Sequence, residues 1–300
     1  MADLLRASTD ILWVAALLLL ISISLSYLLG RRVARHRLEV EYEYGQRKKL
    51  RDLIGSYHGR LLTAANSMNY RFWNFYKNPD RGWLDVGGDY QAPGYYFVSF
   101  VHRFLSVCSL IRQFEAEAMY IDSRIASKTD FIFMNYLGAI RWALTDVSLF
   151  EGLSYDPFFE KDHFFSDSFR SYCEIGVEKG QFFSFQAFKH WIAVNRDLDS
   201  VLRFFDGLER AEDRLRMDRL VVYHVLLIAF INTFGYKTQY TPEEMLPNVL
   251  IQVRNPQVVD NLVAWLPRHG LGTDREARRI LRTWSRLKKL PSEGGGQRIS

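Results

Sequence analysis

The chain has 300 residues, 48% of them apolar and 15% aromatic, and its 39 Lys and Arg exceed its 34 Asp and Glu by 5. That much apolar surface supports a sizeable core and excludes a chain disordered throughout. Two cysteines exclude a disulfide framework, and the basic excess is concentrated in two stretches, the juxtamembrane segment and the C-terminal helix, so net charge alone says little about partners.

Residues 1–10 form a short leading segment in which Arg6 is balanced by Asp3 and Asp10. Residues 11–29 (ILWVAALLLLISISLSYLL) then carry no charge. At 1.5 Å per residue they cover about 28 Å, enough for a hydrocarbon core of about 30 Å. Twelve of them are Leu, Ile or Val, so the sequence predicts a transmembrane helix over residues 11–30. A cleaved signal peptide is the competing reading, but it needs a basic region before the apolar run and a small-residue cleavage site after it, and both are missing.

Arg31, Arg32, Arg35 and Arg37 follow directly. The positive-inside rule then predicts a single-pass protein of the cell (inner) membrane, N-terminus out, with the remaining domain cytoplasmic. The same arginines are placed to meet the anionic headgroups of the bilayer. Ser22, Ser26 and Gly30 recur at spacing four and form a small-residue face suited to a homodimer; serines bonded back to their own helix are the plainer alternative.

Residues 31–78 read as a juxtamembrane helix, with Leu50, Ile54, Tyr57, Leu61, Ala64, Met68 and Phe75 at helical spacing. A strand-like alternation at 38–44 competes with this, and the pairs Arg35–Glu39, Arg37–Glu41 and Glu43–Arg47 favour helix. Arg71 falls in the seam, which argues for packing on the chain's own domain and against a coiled coil. Residues 78–94, dense in Gly, Pro and Asp, are a loop.

The domain over 79–290 is predicted to be helical, so the fold class is all-α: an N-terminal transmembrane helix and a multi-helix cytosolic bundle. A helix over 95–121 gathers Ser99, His102, Arg103 and Ser106 on its polar side, and one over 130–153 carries Arg141 and Asp146. An irregular aromatic and acidic stretch at 156–169 comes next, and helical spacing resumes near 185–192 and 198–208. Residues 220–234 are the other long apolar run, but 15 residues enclosing His224 and Asn232 suit a buried core helix better than a span. Capping boxes begin at Thr241 and Thr273.

The helix over 274–290 has an apolar stripe (Ala277, Ile280, Leu281, Trp284, Leu287) bordered by Arg275, Arg278, Arg279, Arg282, Arg286, Lys288 and Lys289. Contact with an anionic membrane surface and docking of the stripe on the core both fit. Nucleic acid is not expected, because Trp284 alone interleaves the basic residues. The tail over 291–300 is polar and Gly-rich, and is expected to be disordered.

The common phosphate-loop, dinucleotide, zinc and nucleophile-elbow motifs are absent, so neither cofactor nor metal is expected. One catalytic constellation is conceivable: His102, Arg103, Arg141, Asp146, Asp162 and His163, provided that the fold brings them together. The anchor, the basic stop and the run YYFVSFVHRFLSVCSLIRQFEAEAMYIDS (residues 95–123) resemble uncharacterised bacterial single-span membrane proteins with helical cytosolic domains. That resemblance covers the first half and implies no activity or site residues. The functional expectation is a membrane-tethered helical interaction module with a protein partner of unknown identity; the alternative is a membrane-attached enzyme acting on a phosphate-bearing or lipid substrate.

Overall fold

A computed structural model describes residues 2–178, 180–210 and 212–289, the side chains of 2–12, 14–16 and 123 excepted. The expected tail at 291–300 and the last residue of the expected final helix lie outside these. Among the described residues the fold is all-α: ten helices and one hairpin of two short strands. The chain divides into two units, Met1–Arg51 with Ile121–Ile125, and Asp52–Tyr120 with Ala126–Ser300.

Helix α1 (Ala2–Lys77) is continuous, so the alternation at 38–44 is helical. In the first unit residues 17–44 are exposed, Arg37 pairs with Glu41 one turn away at 2.9 Å, and Arg47 donates to the carbonyl of Ile125. Arg124 forks onto Asp122 at 3.0 and 2.8 Å and holds that carboxyl below its usual range.

In the second unit the later turns of α1 form a hairpin with α2 (Tyr95–Ala118). The connection over 78–94 is pinned by Asp206, whose carboxylate accepts from Val86 N (2.9 Å), Gly88 N (2.8 Å) and Tyr90 Oη (3.1 Å). Gly88 has φ +79°, a left-handed conformation that glycine adopts without a Cβ penalty. Tyr90 is buried against Phe97, and Trp83 lies on Tyr96.

Helix α3 (Lys128–Thr145) opens with a Ser127–Asp130 capping box and stops eight residues short of the expected end at 153. At Asp146 the backbone turns extended (φ −90°, ψ 134°), and the carboxylate accepts from Ser148 N at 2.8 Å to start a 3-10 turn. Part of the stretch expected to be irregular is helix α4 (Ser166–Glu174). The hairpin of β1 (Val177–Glu178) and β2 (Gln181–Phe182), unforeseen in the sequence, leads to α5 (Phe185–Val194) and α6 (Asp199–Phe205).

Helix α7 (Arg216–Phe234) is the core, with every residue from Arg216 to Asn232 buried. His224 donates from Nε2 to Asn69 Oδ1 at 2.7 Å and stacks on Phe72, and Asn232 bonds both the backbone of Thr241 and Glu276. Thr241 is therefore engaged with the core and caps nothing; the turn after it starts at Pro242 without a side-chain cap. Helices α8 (Leu246–Leu250) and α9 (Pro256–Arg268) start beside their prolines, and Asp218 on α7 accepts from Asn255 N, Asn255 Nδ2 and Arg254 N at the head of α9.

Helix α10 (Arg275–Leu287) is capped by Asp274 rather than Thr273: its carboxylate accepts from Glu276 N and Ala277 N, both at 2.9 Å. Its apolar stripe is covered within the domain. Ala277, Ile280 and Trp284 are buried, and Trp284 Nε1 donates to Asp260 at 2.7 Å. Arg279 is buried too, paired with Glu276 at 2.9 Å, and Lys288 binds Asp260. Docking on the core thus accounts for the stripe, leaving Arg275, Arg278, Arg282, Arg286, Lys288 and Lys289 as an exposed basic rim. Leu281 and Leu287 of the stripe are half-buried.

Candidate functional site

The six conceived catalytic residues fall in three places. Arg141 and Asp146 line a groove of about 870 Å³ between α3 and α9, where Arg141 pairs with Glu115 (2.9 Å) and not with Asp146. Asp162 pairs with Arg214 at 3.0 Å, and His163 is buried and hydrogen-bonded to the Tyr155 hydroxyl. The backbone carbonyls of Asp146 and Asp162 converge on Arg219, a buried guanidinium on α7. These residues make a structural knot.

His102 and Arg103 line a second cleft, of about 710 Å³, between α1, α2 and α5 in the second unit. Two polar stripes meet there. On α1, Arg60, Thr63, Ser67 and Arg71 follow at helical spacing; on α2, Tyr95, Ser99, His102, Arg103 and Ser106 do the same. Arg71 Nη2 donates to Ser99 Oγ at 2.6 Å, and four residues earlier on α1 Ser67 Oγ accepts from Arg103 Nη1 at 2.8 Å. That is the register of antiparallel helices, set by the pinned 78–94 connection.

Arg103 also donates from Nη1 to Ser67 O (2.9 Å) and from Nε to Ser99 Oγ (3.3 Å), so two guanidiniums share one hydroxyl. Arg60 donates to the carbonyl of Gly180 and lies 5.2 Å from the Tyr57 ring; Arg71 lies over Tyr96 at 4.4 Å. Among the described residues none of these three arginines has a carboxylate partner, and no Asp or Glu lines the cleft. Burial and then the neighbouring Arg71 lower the Arg103 pKa, and the Tyr95 hydroxyl is acidified by its bond to Ser99 and by the two arginines.

His102 donates from Nε2 to the carbonyl of Phe183 at 2.8 Å and is ringed by Phe182, Phe185 and Phe188; burial lowers its pKa. Its proton therefore holds a backbone carbonyl in place. No family model, curated protein or solved structure matches the chain. The chemistry of the cleft is accordingly read from its own residues. Among the described residues no three His, Cys, Asp or Glu side chains gather as a metal-binding group.

Gly59 adds a second observation. It lies inside α1, lines the cleft, and a Cβ built there meets nothing within 4 Å. A glycine inside a helix costs about 1 kcal/mol relative to alanine, and no neighbour in the fold requires it. Gly59→Ala is expected to leave unfolding stability equal or up to about 1 kcal/mol higher. Thermal unfolding checks this; a midpoint that falls contradicts the open space at this position.

His102, Arg103 and Ser99 were legible in the sequence as one polar stripe. Arg60, Ser67 and Tyr95 were not singled out, although the α1 stripe has the same period.

Proposed function

We propose that the chain is a single-pass, membrane-tethered helical module whose domain binds a phosphate-bearing anionic ligand in the α1–α2–α5 cleft. The observation carrying the binding role is that Arg60 and Arg103 line the cleft among hydroxyl groups, with Arg71 buried behind Ser99 and no carboxylate beside them. The dispersal of Arg141, Asp146, Asp162 and His163 away from this cleft favours binding over catalysis.

The tether is supported by a contrast between two helices. Both the early part of α1 and α7 are long and apolar enough to cross a membrane, but α7 is consumed by the core, whereas the α1 stretch is exposed all round. An exposed helix apolar on every face needs a cover, and lipid is the cover that suits one. The arginines at 31, 32, 35 and 37 support a cytoplasmic domain, and the exposed face of Ser22, Ser26 and Gly30 supports self-association of the span.

The test uses the full chain in nanodiscs. Inorganic phosphate and pyrophosphate are titrated into discs of zwitterionic lipid, and phosphatidic acid is placed in the disc in a separate arm. Binding to the folded state raises stability by about 2.7 kcal/mol at a ligand concentration 100 times Kd. The account expects the unfolding midpoint to rise with at least one of these anions, the arm identifying a soluble or lipid source. No shift in any arm rejects the binding role, and release of the chain from membranes by alkaline carbonate rejects the tether.

A further inference from the structure

Resting on the anion-binding reading of the cleft, we propose that its ligand is a nucleotide, with the phosphate held by Arg103 and the base stacked on Tyr95.

Hydrogen-bond bookkeeping inside the cleft narrows the ligand beyond a bare anion. The guanidiniums supply only donors. Thr63 Oγ1 donates its hydrogen to the carbonyl of Gly59 (2.9 Å) and Ser106 Oγ to that of His102 (2.6 Å), so both hydroxyls turn only acceptor lone pairs outward. A ligand that satisfies the whole surface therefore combines an anionic group with hydroxyl or amino donors. A phosphate ester of a sugar has both, and bare phosphate has only the first.

The rim adds an aromatic element. Tyr95 lines the cleft yet is 64% exposed, a large aromatic left uncovered where the other rings of α2 are packed away. Phe185 meets it in a T-shaped contact at 5.4 Å, which fixes the ring's orientation. The Arg71 guanidinium, behind Ser99, lies 5.9 Å from the same ring, which puts the stacking surface next to positive charge. A cleft of about 710 Å³ is within the usual range for small-molecule sites and accommodates a nucleoside phosphate. Stacking on an aromatic side chain tolerates any base, with purines offering the larger face.

The test compares AMP, ribose 5-phosphate and inorganic phosphate by calorimetry on the full-length chain in zwitterionic nanodiscs, for the unaltered protein, Tyr95→Ala and Arg103→Gln. AMP is expected to bind about tenfold or more tighter than ribose 5-phosphate. Tyr95→Ala removes that advantage, bringing AMP affinity down to that of ribose 5-phosphate. Arg103→Gln weakens all three ligands together. Equal affinities for AMP and ribose 5-phosphate, or an AMP preference that survives Tyr95→Ala, overturn the nucleotide assignment while leaving the anion site intact. Failure of all three ligands to bind overturns the anion site as well.

Discussion

Arg219→Met is expected to lower the stability of the second unit by about 3 to 5 kcal/mol, from the cost of leaving buried acceptors unpaired. Arg219 is fully buried on α7 and donates to three backbone carbonyls: Ala143 (2.5 Å), Asp162 (2.7 Å) and Asp146 (3.1 Å). Its guanidinium also lies 4.3 Å from the Phe150 ring. No carboxylate answers its charge among the described ion pairs; the carbonyl dipoles do, and burial still pulls its pKa down to about 10. The three carbonyls belong to the end of α3, the turn after it and the aromatic stretch before α4, so one side chain ties these segments to the core helix.

Met fills much of the volume but supplies no donor. Each abandoned carbonyl then costs about 1 to 3 kcal/mol, partly offset by no longer burying the charge. For a unit of this size the thermal midpoint falls by roughly 2 to 4 °C per kcal/mol, so a drop of about 10 °C is expected by circular dichroism. Arg219→Lys keeps the charge but lacks the planar fork that reaches three acceptors, and is expected to lose most of the same stability. A midpoint within 2 °C of the unaltered chain for Arg219→Met contradicts this account.

Acidification from pH 7.5 to 5.5 is expected to remove on the order of 3 kcal/mol of stability, measured by urea unfolding at each pH. Burial holds His224 at a pKa of about 3; burial, then Arg219, hold His163 at about 4. An unfolded histidine takes up its proton near 6.5. Within this window the unfolded chain therefore binds protons that the folded chain refuses, and stability falls as pH falls. Each of the two rings contributes about 1.4 kcal/mol at pH 5.5, and His102, lowered by burial, acts in the same direction.

The buried Glu212 and Asp218 carboxyls have the opposite sign. Burial raises both pKa values, so the folded state takes up their protons first and gains stability on acidification. His224→Gln should remove close to half of the loss. A stability that stays level from pH 7.5 to 5.5 contradicts the burial assigned to both histidines.

The all-α class was legible because apolar residues recur at helical spacing from α1 to α10, and most of α7 announced itself as a long apolar run over residues 220–234, interrupted by His224 and Asn232 alone among its strongly polar residues. The structure adds what periodicity cannot carry. Asp218 and Arg219 look in sequence like part of a polar helix start, yet each is buried and answered by partners distant in the chain, and Arg216 beside them is buried against Glu212 and the end of α6. The end of α3 depends on one carboxylate bonding a backbone amide two residues on, which competes locally with an apolar pattern that would otherwise extend the helix. Helix α10 shows the reverse difficulty: an apolar stripe with a basic border is the same pattern whether the stripe meets lipid or protein, and only its neighbours decide.

Half of the candidate site was visible in the same way. His102 and Arg103 stood out on α2, and Arg71 stood out as a charge misplaced in a seam. Their meeting required the antiparallel register of α1 and α2, held by Asp206 more than a hundred residues along the chain from the loop it pins. Arg141, Asp146, Asp162 and His163 were grouped by chemistry alone, and the packing around Arg219 separates them from the cleft.

The most direct test of the anion cleft is the affinity of pyrophosphate for the full-length chain before and after Arg103→Gln, with thermal unfolding measured on the same samples. Removing a desolvated charge that bonds the ligand costs about 1.5 to 3 kcal/mol, a loss of roughly 10- to 100-fold in affinity. The fold itself should change by about 1 kcal/mol or less, because the bonds lost at Ser67 are offset by relief of repulsion from Arg71. A tenfold or greater loss of pyrophosphate binding at near-constant stability is the predicted result; equal affinity in the two proteins contradicts the anion cleft.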